Sequence, residues 1–138
     1  MRQVTHIFST ETNGPGLYDI TRQVVDWCRQ QGIAQGLLTL FIRHTSASLT
    51  IQENADPDVR RDLQDYFARI APRNGPYRHT CEGSDDMPAH IKTALTQTQL
   101  TIPVQNSCPM LGTWQGVYLF EHRDRPHDRQ VTMHLLGD

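Results

Sequence analysis

The stretch Gly-Leu-Leu-Thr-Leu-Phe-Ile-Arg, residues 36–43, decides the fold, because it is too apolar for a strand with one face in water. Short continuous apolar runs of this kind are typical of central strands that are covered on both faces. The sequence therefore predicts a buried strand here, with other parts of the chain packed on both of its sides.

The residues on either side of this strand predict helices and further strands. Asp56 followed by Pro57 is a strong start signal for a helix, because the carboxylate caps free N–H groups and proline suits the first helical position. The predicted helices run from Thr21 to about Gln31, from Pro57 to about Ile70 and from Pro88 to about Gln97, and the other predicted strands cover residues 2–9, 49–52, 99–104, 117–121 and 129–136. This order predicts a single α+β domain over residues 1–138, in which a mixed, mostly antiparallel sheet packs against the helices.

The composition is that of an ordinary single-domain protein. With 138 residues, 37% hydrophobic content and a formal net charge of -2, the chain is long enough for a hydrophobic core and has no basic excess that would indicate nucleic acid. No apolar run approaches the length that spans a membrane. Three cysteines cannot form a complete disulfide framework and no signal peptide is visible, so we expect a cytoplasmic protein.

The stretch Tyr77–His90 concentrates groups that bind metal ions. Its sequence, Tyr-Arg-His-Thr-Cys-Glu-Gly-Ser-Asp-Asp-Met-Pro-Ala-His, contains two histidines, one cysteine and three carboxylates. Nitrogen, sulfur and carboxylate ligands crowded in this way suit a transition metal, most simply zinc, with His79, Cys81 and His90 as candidate ligands. The spacing matches neither a paired CxxC nor HExxH, so a polar surface loop followed by a capped helix stays open as the alternative.

The predicted central strand ends in a second polar segment, His44-Thr45-Ser46-Ala47-Ser48. Its hydroxyl groups and backbone donors are able to hold a phosphate group or to orient the imidazole of His44. The alternative is that the hydroxyls satisfy backbone groups in a turn and that His44 is simply packed. Two further histidines, His122 and His127, lie in a charged segment and are expected to be solvated.

Glycines on both sides of Thr113-Trp114-Gln115 indicate a close backbone approach, to a ligand or to a neighbouring subunit. Trp114 suits either stacking on an aromatic ring or packing in the core. The sequence leaves these two interpretations equally open.

Four segments together resemble the YjbQ-like family, whose members are assigned as secondary thiamine-phosphate synthases. They are HTSASLTIQENADPDVRRDL at 44–63, PYRHTCEGSDDMPAHIK at 76–92, LTIP at 100–103 and LGTWQGVYLFEHRD at 111–124. The resemblance covers essentially the whole chain. One departure is Ser107-Cys108-Pro109-Met110, where the resemblance leads us to expect a small glycine-containing turn.

The resemblance implies an α+β fold and a homotrimer with polar sites where subunits meet. It also implies a cluster of histidines and acids suited to a divalent metal ion, either zinc or magnesium or manganese. The matching positions are His44, His79, Asp86 and His90, with Cys81, Glu82 and Glu121 nearby in the motifs.

The reaction that the resemblance implies joins a pyrimidine pyrophosphate to a thiazole phosphate with loss of pyrophosphate, as a low-level side activity. A metal ion would neutralise charge on the leaving pyrophosphate, and His44 or His79 would act as general base if not bound to the metal. The expected catalytic residues are His44, His79, Asp86 and Glu121, and the expected metal ligands are His44, His79, His90 and Cys81. The expected substrate-binding residues are Thr45, Ser46, Ser48, Arg78, Lys92, Trp114 and Gln115, of which Trp114 would stack on the pyrimidine.

Two other functions stay open. Histidines and a carboxylate would also activate a water molecule for metal-assisted hydrolysis of a phosphate ester. Alternatively, a non-catalytic trimer would bind a metabolite or a metal ion for regulation. The expected partners are a small phosphorylated substrate and further copies of the chain, with neither nucleic acid nor a membrane.

Overall fold

The computed structural model describes all 138 residues. The helices are α1 (Thr21–Gln30), α2 (Pro57–Ile70) and α3 (Asp86–Leu95). The strands are β1 (Arg2–Asn13), β2 (Gly16–Asp19), β3 (Gln35–Ile42), β4 (Ala47–Glu53), β5 (Gln99–Gln105), β6 (Cys108–Pro109), β7 (Gln115–Glu121) and β8 (Pro126–Gly137). None of the helices is both long and apolar enough to cross a membrane.

The strands form two sheets in which every pair of neighbouring strands is antiparallel. One sheet has five strands in the order β1-β8-β3-β5-β6, and the other has three in the order β2-β7-β4. β3 lies at the centre of the five-stranded sheet, where Leu38 is paired with Ile102 of β5 and with Leu135 of β8. The predicted α+β class is confirmed, and the structure refines it by dividing the strands between two sheets.

The hydrophobic core lies between the two sheets and α1. β3 contributes Leu38, Leu40 and Ile42, which are at most 1% exposed. α1 adds Val24 and Cys28, and burial raises the pKa of the Cys28 thiol to about 11, so this cysteine is an inert core residue. The other members of the core are Ile20, Ile33, Ala47, Leu49, Leu100, Ile102, Val104, Val117, Leu119, Val131, Met133 and Leu135.

The outer face of β3 corrects one prediction, because no other part of the chain covers it. Leu37 and Phe41 are each 45% exposed. The neighbouring strands add the exposed Ile7 of β1 and Leu136 of β8. A strand that is apolar on both faces has the same sequence pattern whether its second face packs within the chain or stays open, so the pattern could not distinguish the two.

The helix starts determine which side chains share a face. α2 begins as predicted, with the Asp56 carboxylate accepting a hydrogen bond from the N–H of Asp58 at 2.9 Å. α3 begins at Asp86, which is earlier than the predicted Pro88. Because of this earlier start, Asp86 and His90 lie one turn apart on the same face of α3.

α2 and α3 cover the face of the three-stranded sheet that points away from the core. Phe67 of α2 packs edge-on against Phe120 of β7, with ring centroids 5.5 Å apart. Thr96, which ends α3, lies 2.6 Å from the hydroxyl of Ser48 in β4. The layers therefore follow in the order helices, three-stranded sheet, five-stranded sheet.

The sequence pattern predicts neither β2 nor β6. β6 follows a two-residue turn in which Asn106 and Ser107 both have positive φ, 53° and 59°. This conformation joins antiparallel strands tightly, and asparagine tolerates it better than most residues do. The turn lies where the resemblance leads us to expect glycine, so the backbone makes the turn with other residues.

Candidate metal centre

Three side chains of the segment Tyr77–His90 converge. His79, Asp86 and His90 bring two imidazole nitrogens and one carboxylate oxygen within 4.8 Å of one another. The Nε2 atoms of His79 and His90 lie 2.6 Å and 3.1 Å from the same oxygen, Asp86 Oδ2. Two ligands of one zinc ion, each about 2.1 Å from it, lie about 3.0–3.4 Å apart. The 3.1 Å separation lies in this range, whereas the 2.6 Å separation of His79 Nε2 from Asp86 Oδ2 is shorter, as in a direct hydrogen bond. These three residues, here called the metal cluster, are therefore close enough to share one ion after a small outward movement of His79.

The backbone brings the metal cluster together from two directions. α3 holds Asp86 and His90 one turn apart, and the loop before the helix carries His79. Gly83 turns this loop with φ of 103°, and a Cβ at this position would meet Asp85 Oδ1 at 2.9 Å. Glycine is therefore needed here to direct the loop back toward the helix.

Neighbouring groups orient two of the three candidate ligands. His90 Nδ1 donates a hydrogen bond to the Thr45 carbonyl at 2.8 Å. Since a carbonyl only accepts, this proton on Nδ1 leaves the lone pair of His90 Nε2 available to a metal ion. Arg123 donates to the second oxygen of Asp86, Oδ1, at 2.6 Å and to Asp85 at 2.8 Å, which leaves Oδ2 facing the imidazoles.

Asp86 is 1% exposed, and its neighbours keep it ionised. Burial raises the pKa of Asp86, but the hydrogen bond from His79 and the charges of Arg123 and His90 outweigh this effect and hold the pKa below its ordinary value. The ionised carboxylate is the form that binds a metal ion.

The metal cluster is open to solvent on one side. The side chains of His79 and His90 are 39% and 33% exposed. Three protein ligands with solvent access are typical of catalytic zinc sites, which keep one position for water or substrate. A cavity of about 180 Å³ adjoins His79, and its lining includes Arg73, Tyr77 and Ser84. The Ser84 hydroxyl is a suitable donor for anionic oxygens, whereas Arg73 is paired with Asp124 and the Tyr77 hydroxyl donates to the Pro72 carbonyl at 2.7 Å.

The structure places His44 outside the metal cluster, because its ring has other partners. The N–H of Gln130 donates to His44 Nε2 at 2.9 Å, and Arg129 lies 3.4 Å from His44 Nδ1. Burial, followed by the charge of Arg129, lowers the pKa of His44. A neutral ring whose one lone pair already accepts from Gln130 has none left for a metal ion.

Three other predicted site residues lie near the metal cluster but do not join it. Cys81 is exposed and is not one of the three converging side chains. Thr45 contributes its backbone carbonyl to His90 rather than its hydroxyl. Arg78 is exposed next to His79 along the chain, where it is able to meet an anion.

Glu121 belongs to a separate buried network. It is 0% exposed and accepts hydrogen bonds from Arg129 and from Thr12, at 2.7 Å and 2.5 Å to its Oε1. Arg129 also donates to the hydroxyl of Ser46 at 3.0 Å, and the backbone N–H of His122 donates to Glu121 at 3.0 Å. These partners, here called the Glu121 network, use the carboxylate fully and make it a structural group.

Ser48 and Lys92 lie on the other side of α3 from the metal cluster, close to His122. Ser48 is fully buried and its hydroxyl lies 3.0 Å from His122 Nε2. Lys92 and His122 line one cavity between the helices and β7. His122 is 2% exposed, so the prediction that it is solvated is wrong. The charged segment begins at the buried end of β7, so its first residues lie in the interior. The run of charges in the sequence did not indicate this.

Trp114 and Gln115 lie far from the metal cluster within one chain. Trp114 is 63% exposed, so the core interpretation of this tryptophan does not hold in the single chain. Gln115 begins β7, whereas Glu121 ends it, and a strand of this length separates its ends by about 20 Å. The structure therefore does not bring these two residues to the predicted ligands of the same chain.

Sequence reasoning misses two arginines that organise these sites. Arg123 holds Asp86, and Arg129 holds Glu121. Arg129 has the same parity along β8 as the core residues Val131 and Met133, so strict alternation was a signal that it points inward. Arg123 lies in one of the quoted motifs, but no neighbouring residue in the sequence indicated that it contacts a carboxylate in α3.

Comparison with known proteins decides the family. A model of the UPF0047 protein YjbQ-like family matches residues 5–138. The chain belongs to this family. A UPF0047 protein of Synechocystis sp. is 51% identical over 138 residues, which are 99% of this chain and 94% of that protein. The UPF0047 protein YjbQ of Escherichia coli O157:H7 is 45% identical over 120 residues, 87% of this chain and 85% of that protein.

Solved structures of the YjbQ/UPF0047 family have the same fold. A family protein from Clostridium acetobutylicum has a TM-score of 0.85 at 37% identity, over 96% of this chain and 99% of that one. A YbjQ-like protein of unknown function from Sulfolobus solfataricus P2 has a TM-score of 0.88 at 21% identity, over 99% of this chain and 100% of that one. The second likeness concerns the fold alone.

Proposed function

We propose that this member of the YjbQ/UPF0047 family binds a divalent metal ion through His79, Asp86 and His90 and acts on a small phosphorylated molecule beside it. The observation that carries the proposal is the approach of two imidazole nitrogens to one carboxylate oxygen, at 2.6 Å and 3.1 Å. Two nitrogen ligands and one carboxylate favour zinc or manganese over magnesium, which prefers oxygen ligands and water.

The surroundings of the metal cluster support a phosphorylated substrate. Arg78 is exposed beside His79, and Arg73 lines the adjoining cavity with the Ser84 hydroxyl. Guanidinium groups bind phosphate oxygens through charge-assisted hydrogen bonds. In this proposal Arg78, which forms no ion pair within the chain, holds the phosphate, while Arg73 stays paired with Asp124 and His79 and His90 keep their Nε2 atoms directed at the shared position.

The specific reaction proposed is low-level thiamine-phosphate synthesis. The bond from the pyrimidine methylene carbon to the pyrophosphate oxygen breaks, and pyrophosphate leaves with the electron pair. The thiazole nitrogen forms the new C–N bond with its own lone pair, so this step needs no general base. A bound metal ion would supply charge neutralisation on the leaving pyrophosphate. The chain's own contribution is to position the two substrates and to hold the released phosphates.

Elemental analysis tests the metal-binding half of the proposal. Protein purified without chelator is expected to hold one ion per chain, and His79→Ala and His90→Ala are expected to hold none. His6→Ala is the matched control, because His6 stacks on Trp27 at 5.8 Å and takes no part in the metal cluster. Full metal occupancy in both of these variants would contradict the assignment of His79 and His90 as metal ligands.

A turnover assay tests the reaction. Metal-loaded protein is incubated with pyrimidine pyrophosphate and thiazole phosphate, and the products are separated by mass. The proposal expects thiamine phosphate and pyrophosphate in equal amounts, and neither with His90→Ala. Hydrolysed substrates without thiamine phosphate would instead identify a phosphate-ester hydrolase. Tight binding with unchanged ligand masses would identify a non-catalytic binding protein.

We infer further that three copies of the chain associate through the outer face of the five-stranded sheet. The number three rests on the family resemblance. The face itself supports self-association, because exposed apolar side chains without charge are typical of permanent interfaces. The apolar outward residues of this face are Ile7, Leu37, Phe41, Pro103 and Leu136, and the uncharged polar residues Thr5, Thr39, Thr101 and Thr132, with His134, lie among them.

Light scattering tests the assembly. The intact protein is expected at three times the 15.8 kDa of one chain. Phe41→Asp is expected to give single chains, because a buried unpaired carboxylate in the interface is costly. Gln23→Asp, at an exposed position of α1, is the control and is expected to leave the mass unchanged. A Phe41→Asp protein with the mass of the intact protein would place the interface elsewhere.

A further inference from the structure

A cavity of about 320 Å³ lies between α2, α3 and β7. It is separate from the metal cluster, because Asp86 and His90 occupy one face of α3 and Pro88 and Lys92 line the cavity from another. This volume is at the lower end of the range for cavities that hold small organic ligands.

One wall of the cavity is aromatic and apolar. The rings of Phe67 and Phe120 meet edge to face there, with centroids 5.5 Å apart. Ala68 of α2 and Ala71, which follows the last residue of α2, complete this wall with small side chains that leave space. A flat ring would bury apolar area against these residues and gain aromatic contacts.

Beside Phe120 the lining includes His122, with the two ring centroids 4.4 Å apart, and this histidine carries a buried polar atom that lacks a partner. His122 is 2% exposed, and its Nε2 is held 3.0 Å from the hydroxyl of Ser48. Its Nδ1 is also buried but forms no hydrogen bond within the chain. Such an atom is costly unless something supplies the missing hydrogen bond.

Lys92 supplies a positive charge to the same cavity without an ion-pair partner of its own. Four other charged residues line the cavity, and three of them are paired within the chain: Arg73 with Asp124, Asp85 with Arg123, and Glu121 with Arg129. The fourth, Asp65, is exposed on α2 and forms no ion pair. Lys92 forms no ion pair of this kind. Its ammonium group is therefore the positive charge that remains available to a ligand.

His122 is uncharged at neutral pH. Burial, followed by the charge of Lys92, lowers the pKa of His122 to about 3. We assign the tautomer in which Nε2 accepts from Ser48, because Ser48 accepts from Thr96 and so keeps its own proton for Nε2. The neutral imidazole then carries its proton on Nδ1 and is able to donate it. The hydroxyl of Thr96, 2.6 Å from that of Ser48, extends this chain of hydrogen bonds to the end of α3.

We propose that the cavity is a binding site for a small aromatic or heteroaromatic anion, with its ring against Phe67 and Phe120 and its anionic group between Lys92 and His122 Nδ1. Carboxylate and phosphate groups share the chemistry that these two donors recognise. The site stands whether or not the metal cluster functions as proposed above, since none of the three residues of the metal cluster lines the cavity.

Calorimetric titration with three probes tests the proposal: phenyl phosphate, benzoate and inorganic phosphate. We expect phenyl phosphate or benzoate to bind, and the tighter of the two identifies the anionic group. Inorganic phosphate, which lacks the ring, is expected to bind at least about tenfold more weakly than phenyl phosphate. Equal affinity for these two would contradict the role of the aromatic wall, and no binding of either aromatic probe would overturn the proposal.

Two variants test the charge of Lys92 and the free volume of the cavity separately. Lys92→Met keeps the apolar stem and is expected to weaken binding about tenfold to a hundredfold, as loss of one charged hydrogen bond does. Ala68→Trp fills the mouth of the cavity and is expected to abolish binding. Arg61→Met, on the exposed face of α2, is the control for charge. Wild-type affinity in both Lys92→Met and Ala68→Trp would overturn the proposal.

A third variant excludes binding at the metal cluster. The titration is repeated in His90→Ala, which is expected to bind the aromatic probe with unchanged affinity. If this variant does not bind the probe, the probe occupies the metal cluster and the cavity proposal fails. Nitrogen NMR of labelled histidines gives an independent readout, because His122 Nδ1 is expected to shift on binding and His6 is not.

Discussion

The metal cluster and the Glu121 network are built from similar groups, but they differ in how fully those groups are satisfied. Glu121 is completely buried and accepts hydrogen bonds from Arg129, Thr12 and two backbone N–H groups. Asp86 is equally buried, but two imidazoles that face solvent approach one of its oxygens. The Glu121 network has no capacity left for a ligand, whereas the metal cluster has.

This difference separates a stabilising site from the proposed binding site. A buried carboxylate that is fully paired within the chain contributes to the fold, and breaking its pairs is costly. Ligand atoms that converge at the edge of a cavity are available for an ion. Arg123 connects the two regions, because its backbone N–H donates to Glu121 while its guanidinium holds Asp86.

Breaking the Glu121 network is expected to have the largest effect on stability. Arg129→Met leaves the Glu121 carboxylate buried without its cation, which is expected to lower the free energy of unfolding by about 3–5 kcal/mol. Urea denaturation measures the loss. The double variant Glu121→Gln with Arg129→Met is the control and is expected to lose less, because no unpaired charge remains. Equal losses in the two proteins would contradict the assigned role of the pair.

Removing a histidine of the metal cluster is expected to affect ion binding rather than the fold. Zinc at a hundredfold excess over its Kd is expected to raise the free energy of unfolding of the wild-type protein by about 2.7 kcal/mol through linkage. His79→Ala and His90→Ala are expected to lose this gain and to unfold like the wild type when zinc is chelated. Denaturation with and without zinc measures both quantities. A zinc-dependent gain that survives in both variants would contradict the comparison.

The pH dependence of stability separates the buried imidazole from the exposed ones. Burial, followed by the charge of Lys92, lowers the pKa of His122 from 6.5 to about 3. Between pH 6.5 and 4.5 the unfolded chain therefore binds a proton here that the folded chain does not, so stability falls with falling pH by about 2 kcal/mol. His122→Phe is expected to remove that part of the dependence, measured by denaturation at the two pH values. The His6→Ala control is expected to keep the wild-type dependence, and an unchanged dependence in His122→Phe would contradict the buried neutral ring.

The smallest expected effect comes from a helix cap outside both regions. Asp56→Ala removes the carboxylate that accepts from the N–H of Asp58 and is expected to cost about 1 kcal/mol. Asp56→Asn is the matched variant and is expected to retain most of the stability. Metal content is expected to stay at the wild-type value in both variants. A change in metal content would show that the start of α2 and the metal cluster are coupled, which would contradict their separation in the structure.

Local signals in the sequence predicted the elements, and distant contacts decided the sites. The Asp56-Pro57 start of α2 was predictable because capping depends on adjacent residues. The convergence of His79 and His90 was predictable in part, since one loop and one helix carry both. The partners of His44, which are Arg129 and Gln130 in β8, come from far along the chain, and no local pattern pointed to them.

The same reasoning explains the corrections to the fold and to one histidine. β3 is apolar on both faces, and the pattern did not reveal that Leu37 and Phe41 stay exposed in a single chain. His122 follows β7 and precedes three charged residues, so composition suggested solvent, while the direction of the strand turns the ring inward. In both cases the sequence shows which residues are apolar and which are polar, but it does not show which other part of the molecule packs against them.

An anomalous difference map from crystals soaked in zinc tests the central claim most directly, because it locates the ion rather than counting it. The account predicts one peak about 2.1 Å from His79 Nε2, His90 Nε2 and Asp86 Oδ2. The same soak of His90→Ala crystals is expected to show no peak there. Zinc peaks found only at other positions in the wild-type crystal would contradict the assignment of these three residues as one metal site.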